Sequence, residues 1–373
     1  MSAAPAWGAY VHTPWCRLHC PYCNFNVSTR TPQWAAWVAG LRAEWALRQP
    51  HHPGEAATVY LGGGTPSLAP PEVLADVLSI VPRADGAELT IEANPGDLTP
   101  TRLTTWRELG VHRLSLGVQT FNPRFARLLA RGHTARQSRE LVAMVREAGL
   151  STWNVDIIFA LPGQTPADFE ADLHAILETD PPHVSLYGLT FEPGTPLTRA
   201  RDLGRIASPA EADWRRMYDR AVDALESAGI HRYEVSNFAR PGHRSRHNEA
   251  TWRGGHYVGL GPGAHGFMPD GTRTVGHADL DAWRADPGGV LERPTPGGAA
   301  IDLVLSTLRH VDGLPLDALS ESTSHDLHPA PVDALIRAGL LVQRGNNIAL
   351  TDAGFPVGDG VVARICEALR PLP

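Results

Sequence analysis

Three of the four cysteines of this 373-residue chain sit together, in the run His12-Thr13-Pro14-Trp15-Cys16-Arg17-Leu18-His19-Cys20-Pro21-Tyr22-Cys23. The C-x3-C-x2-C triplet follows a predicted strand, Ala9-Tyr10-Val11-His12, so the thiols fall on a short loop that can turn three sulfurs toward one centre. Soft thiolates select iron–sulfur clusters, zinc or cuprous copper. Structural zinc is usually closed by four ligands, drawn from two paired motifs. Here no fourth cysteine is local, because Phe25 follows Asn24. Three thiolates on a four-iron cluster leave one iron open to a substrate, which is a catalytic arrangement. A zinc site completed by His12 or His19 is the alternative.

The elements that must carry this loop alternate. The pattern predicts strands at 9–12, 58–61, 89–92, 113–118, 153–159 and 183–189. It predicts helices at 33–47, 71–80, 99–109, 123–129, 135–148, 166–178 and 209–228. Six rounds of strand then helix imply βαβ units and a parallel sheet, and the strands are apolar on both faces, as buried parallel strands should be. The fold class is α/β. A partial (β/α)6 barrel fits, with a doubly wound sheet as the alternative. Each strand ends on a polar residue or a glycine turn: the cysteine loop, Gly62-Gly63-Gly64-Thr65-Pro66, Glu92, Gln119, and Asp156 late in the fifth. In β/α barrels the active site gathers at that end, and glycines there let the backbone approach a ligand closely.

After residue 230 the texture changes. A strand and its exit are predicted at 233–238, followed by Arg-, His- and Gly-rich sequence without a clear period. Helices at 301–309, 331–338 and 361–369 then flank a hairpin that pairs 340–342 with 348–350 across Gly345-Asn346-Asn347. Three units are expected: a barrel over 1–230, an extension over 231–299, and a small winged-helix-like α+β domain over 300–373. No basic recognition helix stands out in the last, so it reads as a packing unit rather than a DNA reader. Cys366 reads as a plain helix residue.

Composition narrows the function further. A net charge of −7 gives no general pull toward nucleic acid. No run of about 18 apolar residues predicts a transmembrane helix, the N-terminus lacks a secretory pattern, and the clustered cysteines do not form a disulfide framework; a cytosolic location is expected. All 33 basic residues counted are arginines. The missing lysine excludes a Walker-type phosphate lysine and a lysine Schiff base.

The triplet and the wording around it, C-x3-C-P-Y-C-N-F, resemble the signature of the radical SAM superfamily. Within it the chain is similar to the oxygen-independent coproporphyrinogen III oxidase family, and there to the heme chaperone (HemW) branch. The runs Ser115-Leu116-Gly117-Val118-Gln119-Thr120-Phe121, Asp156-Ile157-Ile158-Phe159-Ala160-Leu161-Pro162-Gly163-Gln164-Thr165 and Gly259-Leu260-Gly261-Pro262-Gly263-Ala264-His265 carry the resemblance further. It covers about residues 8–270 well and the rest loosely. It implies a partial (β/α)6 barrel with a [4Fe–4S] cluster on Cys16, Cys20 and Cys23. It also implies S-adenosylmethionine contacts at Tyr10, Tyr22, Gly64, Thr65, Glu92, Gln119, Arg131 and Asp156. Gln119 and Asp156 would serve the ribose, and Arg131 and Glu92 the methionyl end; a guanidinium suits a carboxylate, and carboxylates and amides suit hydroxyl and amino groups. In the mechanism so implied, the open iron chelates the methionyl end. One electron from the reduced cluster then breaks a carbon–sulfur bond, leaving methionine and a 5′-deoxyadenosyl radical.

Two features favour the chaperone branch. The resembling dehydrogenase has a cysteine where Phe25 stands, and it reaches its first strand later. The branch's H-N-x-x-Y-W motif stands here as His247-Asn248-Glu249-Ala250-Thr251-Trp252, with Thr251 in place of tyrosine. Imidazole is a good haem ligand, so His247 is the haem candidate, with His243, His256 and His265 as rivals. The resemblance thus implies a protein that binds haem and delivers it to apo-haemoproteins, such as respiratory-chain subunits, with peripheral membrane association as an accompanying expectation. The alternative is an oxygen-independent coproporphyrinogen III oxidase in porphyrin biosynthesis. A zinc-stabilised binding protein without radical chemistry is the third. Cleavage of S-adenosylmethionine and the choice between monomer and dimer are left open at this point.

Overall fold

The six expected strands are all present in the computed structural model, which describes residues 6–131 and 135–372. They are β1 (Trp7–Thr13), β2 (Ala56–Gly63), β3 (Arg83–Ala93), β4 (Arg113–Gln119), β5 (Thr152–Phe159) and β6 (His183–Gly188), and each neighbouring pair is parallel. Between them run α1 (Trp34–Arg48), α2 (Pro71–Leu78), α3 (Pro100–Glu108), α4 (Pro123–Leu128), α5 (Ala135–Glu147) and α6 (Pro166–Glu178). Helices α7 (Pro196–Asp202) and α8 (Glu211–Ser227) follow β6. Local chemistry sets the helix starts. Proline occupies the first turn of α2, α3, α4 and α6, where its missing N–H costs nothing. Thr99 caps α3, and Thr165 closes a capping box with Asp168 at α6.

The strands are buried on both faces, as the apolar runs require. Some exceptions are informative: Tyr10 in β1, Tyr60 in β2, Glu92 in β3, Gly117 in β4 and Asp156 in β5 are only half-buried, and these five line cavities inside the barrel.

The barrel does not close on itself. After α8 come β7 (His231–Arg232) and β8 (Asn237–Ala239), both antiparallel, and β8 pairs with β6. Of the strand and exit expected at 233–238, residues 233–236 form the reversal between β7 and β8, closed by Tyr233 N–H donating to the Asn237 carbonyl at 3.0 Å, and residues 237–238 open β8. The unpatterned segment that follows holds α9 (Arg246–Trp252), β9 (Tyr257–Leu260), β10 (His265–Phe267), β11 (Arg273–Val275), α10 (Leu280–Ala285) and β12 (Val290–Glu292). These elements are too short to show a period. Strand β9 runs parallel to β1 on the far edge, and β10–β12 extend it antiparallel, giving one twelve-stranded sheet in the order β12-β11-β10-β9-β1-β2-β3-β4-β5-β6-β8-β7.

A second hydrophobic core forms around α11 (Pro296–Thr307), α12 (Leu316–Thr323), α13 (Pro329–Arg337) and α14 (Gly358–Glu367). Its hairpin pairs Leu341–Arg344 with Asn347–Leu350 in the predicted place, and Gly345 takes the left-handed conformation its turn needs. Cys366 lies in α14, half-buried. Among the described residues, no helix is long and apolar enough to cross a membrane.

Candidate functional site

The cysteine loop is anchored by its aromatic neighbour. Trp15 is fully buried and packs edge-on against Trp34 (4.8 Å) and Trp37 (5.9 Å) of α1. The loop's ends are tied by Cys16 N–H to the Ser28 carbonyl (3.0 Å) and Ser28 N–H to the Pro14 carbonyl (2.7 Å). The glycine run docks against it: Gly64 N–H meets the Thr13 carbonyl at 2.7 Å and Thr65 N–H the Trp15 carbonyl at 2.8 Å. A Cβ on Gly64 would lie 2.5 Å from the Trp15 carbonyl oxygen. Glycine is therefore needed there by the neighbouring backbone, whatever ligand approaches.

Cys16, Cys20 and Cys23 open onto one cavity of about 380 Å³, together with Tyr22, Gly64, Thr65, Glu92, Gln119, Arg131 and Asp156. A hydrogen-bonded belt joins the sulfurs. Thr65 Oγ1 donates to Cys16 Sγ (3.3 Å), Asn94 Nδ2 donates to Thr65 Oγ1 (3.1 Å), and Arg131 donates to Asn94 Oδ1 and to the Gly117 carbonyl. Arg131 also reaches Cys20 Sγ at 3.7 Å. Its Nε is buried without a partner among the described residues.

Burial pushes the Cys16 thiol up to about 11, against the relieving bond from Thr65, and burial likewise raises Cys23. Metal ligation would replace those protons. Glu92 accepts from Tyr60 (2.8 Å) and from Gly63 N–H (3.1 Å); burial nonetheless raises it to about 7. Asp156 is raised by burial and held down by Asn154, Ser185 and Ser115. Two desolvated carboxylates in one cavity are ready to receive a cationic or hydroxyl-bearing ligand.

The donor set fits a cluster better than a single ion. Both ring nitrogens of His12 are engaged, by Tyr10 (3.2 Å) and the Asn26 carbonyl (2.8 Å), and His19 Nε2 meets the Cys23 carbonyl (3.0 Å). Among the described residues no three His, Cys, Asp or Glu side chains are gathered closely enough to hold one metal ion.

A second cavity, about 520 Å³, adjoins the first; Phe25, Gly63 and Tyr187 line both. Its wall is aromatic, with Tyr10, Tyr60, Tyr257 and Trp252, and it contains His247. His247 lies in α9, which Ser245 caps through Asn248 N–H. The imidazole is buried between Tyr60 (5.2 Å) and Tyr257 (6.3 Å). Its Nδ1 is 2.8 Å from Thr58 Oγ1, and burial lowers it to about 4, so it is neutral at physiological pH.

The radical SAM superfamily profile matches residues 10–176, and the HemN C-terminal domain profile matches residues 299–357. The Bacillus subtilis heme chaperone HemW is 31% identical over 370 residues, covering 95% of this chain and 97% of that protein. The chain belongs to the radical SAM family of HemN and HemW. The Mycobacterium tuberculosis heme chaperone HemW is 34% identical over 95% of this chain and 93% of its own length. A mitochondrial radical S-adenosyl methionine domain-containing protein 1 from Danio rerio is 40% identical over 71% of this chain, and the match spans 62% of that relative's length. Coproporphyrinogen III oxidase (HemN) from Escherichia coli shares the fold, with a TM-score of 0.79 at 22% identity over 98% of this chain and 90% of its own. Membership implies a [4Fe–4S] cluster and S-adenosylmethionine as cofactors.

Of the residues singled out in the sequence, Cys16, Cys20, Cys23, Tyr22, Gly64, Thr65, Glu92, Gln119, Arg131 and Asp156 come together at the first cavity. Tyr10 instead faces the second, bonded to His12 and stacked on Tyr60 at 6.1 Å. His265 sits where the second cavity meets a third of about 530 Å³, which His256 also lines; His243 lines neither of the first two and pairs with Thr152. Sequence reasoning passed over Asn94, which bridges Thr65 and Arg131. Its signal was weak: a polar residue two places past Glu92 at a strand end. Thr58, Tyr60 and Glu234 left no signal, since only the packed sheet brings Tyr60 and Glu234 to the cavity and Thr58 against His247 behind its wall.

Proposed function

We propose that this protein is a heme chaperone of radical SAM type. Cys16, Cys20 and Cys23 would hold a [4Fe–4S] cluster. Tyr22, Gly64, Thr65, Glu92, Gln119, Arg131 and Asp156 would bind S-adenosylmethionine beside it, with Tyr10 contributing from the adjoining cavity. When bound, the cluster supplies one-electron chemistry at its open iron. The residues orient its ligand: Arg131 is aimed by Asn94 and Gly117, and the two desolvated carboxylates are arranged for donors.

Haem would occupy the aromatic cavity on His247. One observation carries this part. The Nδ1 of His247 is taken by Thr58, and among the described residues Nε2 has no hydrogen-bond partner. With Thr58 Oγ1 accepting from Nδ1–H, Nε2 keeps the lone pair that a metal takes, the arrangement of most metal-binding histidines. Burial keeps the ring neutral, so one nitrogen is free of a proton. The 31–37% identity to proteins named heme chaperone HemW supports the same reading. Apo-haemoproteins, respiratory-chain subunits among them, would be the recipients, in the cytoplasm or at a membrane surface. The work would divide between a barrel over 1–230, an extension over 231–299 that brings His247, and a C-terminal unit over 300–373. The oxidase alternative has less behind it: Phe25 stands where the resembling dehydrogenase has a cysteine, and likeness to the oxidase at 22% identity speaks for the fold alone.

The test is anaerobic reconstitution with iron and sulfide, then a haem titration followed by absorbance. Saturation near one haem per chain, with affinity reduced roughly 10–100-fold in His247→Ala, is the expected outcome. Unsaturable binding, or an unchanged His247→Ala variant, would overturn the haem assignment.

A further inference from the structure

The aromatic cavity contains a carboxylate that the proposed haem site does not use. Glu234 is wholly buried and lines the cavity. Neither of its oxygens has a hydrogen-bond partner among the described residues, and the same holds for Asn237 Oδ1 on the same wall. Burial raises Glu234 to about 7, against the pull of the Ser236, Asn237 and Val235 N–H groups and of the Asn237 side-chain amide, which lie close by without full hydrogen-bond geometry. A buried group left unpartnered costs stability and marks a functional position.

The cavity's charge is one-sided. Among the described residues no arginine lines it, and the chain has no lysine. Its histidines do not offset Glu234: burial lowers both His12 and His247, and only His265 stands exposed, at the rim. Glu234 is therefore the charged side chain of a wall that is otherwise aromatic and neutral-polar, apart from its histidines.

We propose that Glu234 is the specificity-determining residue of this cavity, selecting a two-carboxylate tetrapyrrole and excluding a four-carboxylate one. The inference rests on the haem reading above and deepens it. Haem carries its two propionates on one side of the macrocycle, so both can stay at the exposed rim beside Phe25 and His265 while the apolar side goes inward. A coproporphyrin carries one propionate on each of its four rings, so at least one faces inward in any orientation. There it would meet Glu234 and Asn237 Oδ1 with no cation to neutralise it. Like charges brought together in a desolvated site oppose binding strongly, and repulsion against the wrong ligand is an effective source of selectivity.

The experiment compares haem with iron coproporphyrin III, which shares the metal and differs only at the periphery. Both are titrated into the full-length reconstituted protein at alkaline pH, where Glu234 is ionised. The wild type should prefer haem by at least about tenfold. Glu234→Gln should shrink that preference about tenfold, by tightening the four-carboxylate ligand rather than by weakening haem. Asn237→Asp adds a second carboxylate to the same wall, should widen the preference, and serves if Glu234→Gln fails to fold. Equal wild-type affinities, or a preference that neither variant moves, would overturn the inference and leave the haem reading standing. Failure of haem to saturate the wild type would overturn both.

Discussion

The two adjoining cavities are built in opposite ways. The cysteine cavity is a belt of partnered polar groups: Arg131 donates to Asn94, Asn94 to Thr65, and Thr65 to the Cys16 sulfur. Its residues come from strand ends and the loops beyond them, as the barrel fold predicts. The His247 cavity lies along the strands' inner faces and is closed by α9 and β9. Its aromatic wall carries two partnered imidazoles, His12 and His247, and one carboxylate whose oxygens lack a hydrogen-bond partner among the described residues. The first arrangement suits a charged, hydroxyl-rich cofactor that must be aimed. The second suits a large flat ligand held by one bond and by exclusion of alternatives.

If that contrast is right, the sites separate under mutation. Cys20→Ser should abolish the four-iron signal while leaving haem affinity within about threefold, since Cys20 does not line the second cavity. A full cluster spectrum in that variant would sink the ligand assignment.

The wall shared by β9 and β10 should hold without any ligand. Glu44 secures it by accepting from Gly261 N–H (2.7 Å) and Trp283 Nε1–H (2.9 Å), and burial raises the carboxyl to about 7. A carboxyl raised on folding contributes stability at low pH and loses it as pH climbs from about 4.5 to about 7. Glu44→Gln keeps the acceptor and removes the charge, so above that window it should be more stable than the wild type by about 2 kcal/mol. Denaturant midpoints on either side of the window would read this; a wild type whose stability rises with pH relative to Glu44→Gln would refute it.

Two smaller changes sharpen the contrast from each side. Thr58→Val removes the partner of His247 Nδ1 at constant volume, and haem affinity should fall about tenfold with the cluster intact. Thr65→Val removes the hydrogen bond to Cys16 Sγ. The midpoint potential of the reconstituted cluster should fall by roughly 40 mV, one bond of about 1 kcal/mol on a one-electron couple. An unmoved potential would show that Thr65 does not reach the ligated sulfur.

Much of the first cavity was legible in the sequence, because its residues sit at strand ends and strand ends follow from local pattern. Glu92, Gln119 and Asp156 were placed that way, and the structure gathers them. The position of Tyr10 was not, because a residue in mid-strand can face the lumen at either depth. The His247 segment read as an unpatterned loop, and the structure makes it a capped helix with the imidazole buried. Seven residues are too few to display a helical period, and its burial comes from Thr58, Glu88 and Tyr60, which lie far away in the chain.

The sequence by itself determined the thiol triplet, the strand–helix alternation and the family. Each is written in short-range spacing: C-x3-C-x2-C on one loop, continuous apolar strand runs alternating with helical segments, and motifs a few residues long. Only the tertiary structure decided that β9 returns to pair with β1, and that a second cavity opens beside the first. It also left Glu234 buried there without a partner. Burial and pairing across two hundred residues depend on what the folded sheet brings together, and no local pattern encodes that.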